Sequence, residues 1–223
     1  MSKNSDTLGI LGLGNRSTLF YINALNTTFN TIEKEYSTFP FILYNTNFNT
    51  INPYLPDNFE MLLPTLSEYI NHLEKLPVSH LLIPNITLHE AIDKLETTLP
   101  ILHPLQLSAT FLKEQHKNKV VVFGTKYTMT STYISNYFSS KGILVISPSK
   151  EDIEFIDDFR KKIYSNSETA TDLETYSNLV SNYNKESTVL IACTELSLVK
   201  NAKPVLDMAK LQIDEAIKQF KYH

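Results

Sequence analysis

The chain has 223 residues, a formal charge of −4 and a single cysteine. That length suits one large domain or two small packed ones, and 42% apolar residues is enough for a core and excludes a disordered chain. Its 20 Lys and Arg are outnumbered by 24 Asp and Glu and are scattered along the chain, which argues against a basic nucleic-acid surface. One cysteine rules out an intramolecular disulfide framework and a cysteine-based zinc site, but not a catalytic thiol. Met1 to Asp6 is polar with no apolar signal core, and no apolar run approaches the ~20 residues of a membrane helix. The expectation is a cytoplasmic protein with a reduced thiol and neither nucleic-acid nor membrane partners.

In chain order, Leu8 to Leu13 reads as a buried strand ending in a glycine-rich turn, followed by a helix from about Ser17. Phe39 to Tyr44 reads as a second strand. Asn45 to Asn58, with two prolines and many asparagines, reads as a long loop of the kind that often carries function. Phe59 to Lys75 has helical periodicity. Leu81 to Pro84 is a short strand, Leu88 to Thr97 a helix, Ile101 and Leu102 a brief strand, and Leu105 to Lys117 a helix. Lys119 to Phe123 is the clearest strand. A helix over Met129 to Ser140 follows, with Gly142 as its C-cap. Gly142 to Ile146 continues as a strand, with helices over Glu151 to Tyr164 and Ala170 to Asn182. Thr188 to Ala192 is the last core strand, and Asp207 to Phe220 an amphipathic helix.

Strands alternating with helices predict an α/β fold with mostly parallel sheet covered on both faces. Ligands in such folds sit at the carboxyl ends of strands. The chain also resembles itself. Leu82-Ile83-Pro84-Asn85 and Leu190-Ile191-Ala192-Cys193 are both strand ends followed by threonine, at an offset of 108. Gly14-Asn15-Arg16-Ser17-Thr18 and Gly124-Thr125-Lys126-Tyr127-Thr128 share a pattern at an offset of 110. Two pairs at nearly one offset suggest two similar halves. A pseudo-two-fold between them would bring Asn85 and Cys193 to a ligand from opposite sides.

Several motifs carry a family resemblance. Ile191-Ala192-Cys193-Thr194-Glu195-Leu196 resembles the second catalytic motif of the aspartate/glutamate racemase family, a cysteine followed by Thr-Glu. Gly124 to Met129 resembles that family's Gly-Thr-x-x-Thr-Met segment. Ile83 to His89 aligns with its first motif, Ile-Pro-Cys-Asn-Thr-x-His, and Leu11 to Tyr21 is similar to its glycine-rich opening. The C-terminal helix also fits. The resemblance implies two α/β halves, over 1–103 with 205–223 and over 104–204, with the active site in the cleft between them. It also implies an isomerase that interconverts amino-acid enantiomers without a cofactor or metal, acts on a small-molecule substrate (an amino acid or related carboxylate), and forms a homodimer. In that family two cysteines flank the α-carbon, one thiolate removing the proton and the opposite thiol returning one.

The chain departs from this pattern. Asn85 stands where the first cysteine belongs, and an amide can only hydrogen-bond. The family's aspartate-specific members hold the distal carboxylate with an arginine in the loop after the second strand. Here that loop has no Arg or Lys, and Phe48, Pro53 and Tyr54 would suit an uncharged side chain. Cys193 is the surviving acid/base. Asn85, Thr87, Thr125, Thr128, Thr194, Glu195 and Arg16 are the candidate substrate-binding residues. Each has a plainer alternative: Thr87, Thr125, Thr128 and Thr194 as turn or cap residues, Asn85 as a turn residue, Glu195 as a helix-start carboxylate, Arg16 as a solvated loop residue, Cys193 as a core thiol. His89 reads as a helix residue or a replacement base. The remaining histidines show no metal-ligand spacing. Gly12 to Ser17 also has the outline of a dinucleotide loop, without its third glycine or the acidic residue after the second strand. Three activities stay open: a racemase with a different second base, a single-cysteine enzyme that protonates a carbanion made by decarboxylation, or a non-catalytic binder on a degenerate site.

Overall fold

A computed structural model describes residues 7–201 and 203–220. The polar residues at 1–6, and 221–223 at the end of the C-terminal segment, lie outside the described residues. The chain divides into two compact units, one formed up to His103 and again from Gln212 onward, the other by Pro104–Leu211.

In the first unit, β1 (Leu8–Gly12) is central and parallel to β2 (Phe41–Asn45) and β3 (His80–Leu82), with Leu8 opposite both Phe41 and His80. Every residue of β1 is buried, as both faces of a parallel sheet must be when helices cover them. Helix α1 (Asn15–Glu33) buries Thr18, Tyr21 and Leu25, and α2 (Phe59–Glu74) buries Phe59, Leu62, Leu66, Ile70 and Leu73. The α2 stripe follows from the sequence pattern, whereas α1 buries Thr18 and Tyr21 beside Leu25 and leaves the apolar Leu19 exposed. The second unit repeats the plan: β4 (Lys119–Phe123) lies between β5 (Leu144–Ile146) and β6 (Thr188–Ile191), all parallel. A fourth strand, β7 (Leu206–Asp207), pairs with β6. Its counterpart in the first unit is a single parallel bridge from Leu81 to Ile101, where the sequence predicts a brief strand. The repeated motifs therefore fall on matching elements: the glycine loops follow the central strands β1 and β4, and Asn85 and Cys193 follow β3 and β6.

Several boundaries differ from the sequence expectation for local reasons. Helix α3 (His89–Ile92) stops well short of Thr97. Glu74 draws the chain away, accepting from the Thr98 amide at 2.6 Å and the Thr97 hydroxyl at 2.9 Å. The helix expected over Met129 to Ser140 is two, α5 (Lys126–Thr130) and α6 (Thr132–Ser140), because extended Ser131 caps the second through its hydroxyl to the Ile134 amide. Gly142, at φ +76°, turns the chain after α6 and delays β5 to Leu144. The loop 45–58 contains two one-turn 3₁₀ helices, Phe48–Thr50 and Asn52–Tyr54. Helix α4 (Pro104–Glu114), α7 (Lys150–Ser165), α8 (Ala170–Tyr183), the short α9 (Thr194–Ser197) and α10 (Met208–Phe220) complete the chain. Within the first unit, buried Gln212 of α10 accepts from the Tyr21 hydroxyl at 2.5 Å and donates to the Leu102 carbonyl at 2.6 Å.

Candidate active site

In the second unit the chain leaves β6 through Ala192 and reaches Cys193, whose carbonyl accepts the Leu196 and Ser197 amides and starts α9. The thiol is buried, and Sγ donates to Glu195 Oε2 at 2.8 Å. The same oxygen lies 3.4 Å from the Thr194 hydroxyl. Burial first, then the charge and hydrogen bond of Glu195, push the thiol well above its ordinary range, and the Arg160 guanidinium partly opposes them. The resting sulfur is therefore a protonated thiol aimed at a carboxylate.

The neighbouring strand end supplies the threonines. Phe123 pairs with Ile191, and the Ala192 amide donates to the Phe123 carbonyl at 2.8 Å, so the loops after β4 and β6 run side by side. Gly124 permits this. A Cβ there would stand 2.4 Å from Thr128 Oγ1 and 3.1 Å from the Ala192 carbonyl oxygen. Thr125 caps α5 by accepting the Thr128 amide at 3.1 Å, and the buried Thr128 hydroxyl donates to the Thr125 carbonyl at 3.0 Å. Asp157 of α7 holds the start of α5 by accepting the Lys126 amide at 3.0 Å, and it binds Arg160 Nε at 2.8 Å and Lys161 Nζ at 2.7 Å. Burial opposes ionisation of Asp157, but these donors outweigh it and hold the carboxyl below its ordinary range.

In the first unit, Asn85 ends the equivalent turn after β3. Its side-chain oxygen accepts the Leu88 amide at 3.2 Å, so at least one of its polar atoms serves the turn. Its carbonyl lies 2.9 Å from His89 Nδ1, which therefore carries the proton. His89 is wholly buried and Nε2 has no partner among the described residues. Burial, and then nearby His103, lower its pKa to about 3, so the ring is neutral at pH 7. His89 is a turn-fixing residue here, without the access a replacement base needs. Thr87 is half-buried in the same turn, and Arg16 is half-buried in the first turn of α1. Thr18, which aligns with Thr128, is buried too and accepts the Leu13 amide at 3.1 Å.

Sequence reasoning missed Asp157, Arg160, Tyr176, Ser197 and Asp207. The Asp157–Arg160 spacing reads as an ordinary i,i+3 surface pair, and Tyr176 as one more apolar position of α8. Buried Asp207 precedes α10, accepting the Ala209 amide at 3.0 Å and the Ser197 hydroxyl at 3.0 Å. Among the described residues no group of three or more His, Cys, Asp and Glu could hold a metal ion, and no helix is long and apolar enough to cross a membrane.

The chain is an α/β protein of two parallel-sheet units, with a thiol hydrogen-bonded to a carboxylate at the end of one inner strand. The chain belongs to the Asp/Glu/Hydantoin racemase family, whose model matches residues 10–216. Its fold is that of an aspartate racemase homologue from Pyrococcus horikoshii OT3, with a TM-score of 0.86 at 22% identity over 97% of this chain and 99% of that one. Picrophilus torridus aspartate racemase superposes with a TM-score of 0.76 at 21% identity over 96% and 94%. Arylmalonate decarboxylase superposes with a TM-score of 0.54 at 10% identity over 97% and 93%. No curated protein matches the sequence significantly.

Proposed function

We propose that the protein is an amino-acid racemase working without pyridoxal phosphate, with Cys193 as its acid/base and Glu195 as the carboxylate that exchanges a proton with it. The observation that carries this is the 2.8 Å hydrogen bond from Cys193 Sγ to Glu195 Oε2, at the strand end where the family motif puts its second cysteine. When the Sγ proton passes to Glu195, the thiolate takes the α-proton of an amino acid from one face, and inversion is completed by a proton delivered to the opposite face by a second group; for the other enantiomer the Cys193 thiol is the donor. Thr87, Thr125 and Thr194, half-buried at strand ends, and Arg16 are proposed to bind the substrate carboxylate. Thr128 contributes by holding Thr125, and Asn85 as a hydrogen-bonding group. The second base is then not a cysteine. A small amino acid or related carboxylate is the proposed partner, with a cytoplasmic homodimer as the working form.

A second reading draws on the raised thiol. A sulfur that stays protonated at neutral pH is a ready acid, and one acid is enough where loss of CO₂ from a malonate supplies the carbanion. The deciding experiment is α-proton exchange in D₂O, followed by NMR on single enantiomers of an amino-acid panel, for the protein and for Cys193→Ala. Exchange with inversion that vanishes in the variant is the expected result. Exchange without inversion means one working face, and no exchange across the panel refutes the racemase. CO₂ release from disubstituted malonates, lost in Cys193→Ala, then supports the second reading. Binding of an amino acid without turnover, unchanged in Cys193→Ala, identifies a binder.

A further inference from the structure

We propose that Arg160 is an anion-binding residue of the second unit, taking a carboxylate of the ligand on the Nη1–Nη2 edge of its guanidinium. The buried face of α7 brings it to the site, since Ile156, Phe159 and Ile163 share one apolar cluster with Cys193 and Leu196. Asp157, one turn earlier on α7, pins the guanidinium. Its Oδ1 accepts both Arg160 Nε at 2.8 Å and the Lys126 amide at 3.0 Å. The guanidinium therefore lies beside the first residue of α5, next to the capping Thr125. Its charge also reaches the Cys193 sulfur, where it favours the thiolate.

Arg160 is held in place but not used up. An arginine and a carboxylate frequently pair at two points, with a second nitrogen on the second oxygen. Here Lys161 Nζ occupies Asp157 Oδ2 at 2.7 Å and binds Asp158 Oδ1 at 2.9 Å as well. Arg160 keeps the single Nε bond, and Nη1 and Nη2 have no hydrogen-bond partner among the described residues. Neither nitrogen is buried, so both reach solvent, although the side chain as a whole is only 24% exposed. A helix ion pair has no need of that free edge. Two parallel N–H donors in a fixed plane, already oriented by Asp157, match the two oxygens of a carboxylate and lose little freedom on binding it.

The inference rests on the reading of this strand end as a carboxylate-binding site, and its test needs no turnover. Malonate is the probe. Arg16 and Arg160 are the chain's only arginines, so protein carrying ¹⁵N-arginine gives two side-chain Nε–Hε signals in NMR. The signal that disappears in Arg160→Lys belongs to Arg160. Malonate is expected to shift that signal to saturation. In calorimetry, Arg160→Gln is expected to weaken malonate binding about ten- to a hundredfold, the worth of hydrogen bonds to a charged group. Arg160→Lys keeps the charge without the planar pair of donors, so its affinity should fall between the two. An Arg160 signal that stays put at malonate saturation, no malonate binding by the native protein, or native affinity in Arg160→Gln overturns the proposal. The α-proton exchange stands apart from this result. A protein that racemises amino acids while its Arg160 signal stays put loses this assignment alone, and one that binds malonate through Arg160 without racemising anything keeps it.

Discussion

Replacing Glu195 by glutamine should drive thiol reactivity and turnover in opposite directions. In the native site the carboxylate accepts the Sγ proton at 2.8 Å and its charge repels a thiolate, so it holds Cys193 in the protonated form. Glutamine keeps the shape and removes the charge. A hydrogen bond to a charged group is worth about 1.5–3 kcal/mol, or about one to two pKa units, so Glu195→Gln should raise the thiolate fraction about ten- to a hundredfold below the midpoint. Nucleophilicity falls as the thiol becomes more acidic, with a Brønsted slope near 0.5, which leaves labelling by iodoacetamide about three- to tenfold faster. Turnover should move the other way. An amide cannot hold the proton that leaves Sγ, and loss of a general acid/base costs about 10²–10⁴ in rate. The assay is labelling rate against pH beside α-proton exchange for both proteins. Slower labelling, or exchange at the native rate, would sink the assignment of Glu195 as the proton partner of Cys193.

Two further outcomes test the frame around the site. Gly124→Ala puts a methyl 2.4 Å from Thr128 Oγ1 and 3.1 Å from the Ala192 carbonyl, so urea unfolding should show a loss of about 2–4 kcal/mol from overpacking and a broken hydrogen bond. Adding Thr128→Ala removes the nearer clash and should return about 1–2 kcal/mol of that, and strict additivity would refute the packing argument. His89 is held neutral, with a folded pKa of about 3 against an ordinary 6.5. Between these values the unfolded chain binds a proton that the folded one excludes, so this contribution is intact above pH 6.5 and drains away as pH falls toward 3. From pH 7 to pH 5 the protein should lose about 1–2 kcal/mol more than His89→Gln does in urea melts. Parallel pH dependences would show that His89 is not buried neutral.

Much of this molecule is written locally. The strands Lys119–Phe123 and Thr188–Ile191 are short β-branched runs. The helices α2 and α7 are apolar stripes at helical spacing, and the glycine turns recur at a fixed offset. Those are properties of neighbouring residues, so periodicity and turn chemistry suffice to read them. Cys193-Thr194-Glu195 is legible as a motif, but there Glu195 reads as a substrate-binding or helix-start carboxylate, and its bond to the thiol appears only in the structure.

What stayed hidden depends on contacts between residues far apart in the chain. Helix α3 ends early because Glu74 binds Thr97 and Thr98. β7 exists because β6 offers a free edge to two residues with little strand pattern of their own. Whether His89 is a base or a buried prop could not be read from its motif, since its accessibility and its bond to the Asn85 carbonyl are set by packing. The same is true of the acidity of Cys193. The sequence names the thiol, and the structure shows that Glu195 is its hydrogen-bond partner. Burial, the guanidinium of Arg160 and the charge of Glu195 set which of its two protonation states is the resting one, and desolvation of a charge is a property of the folded interior alone.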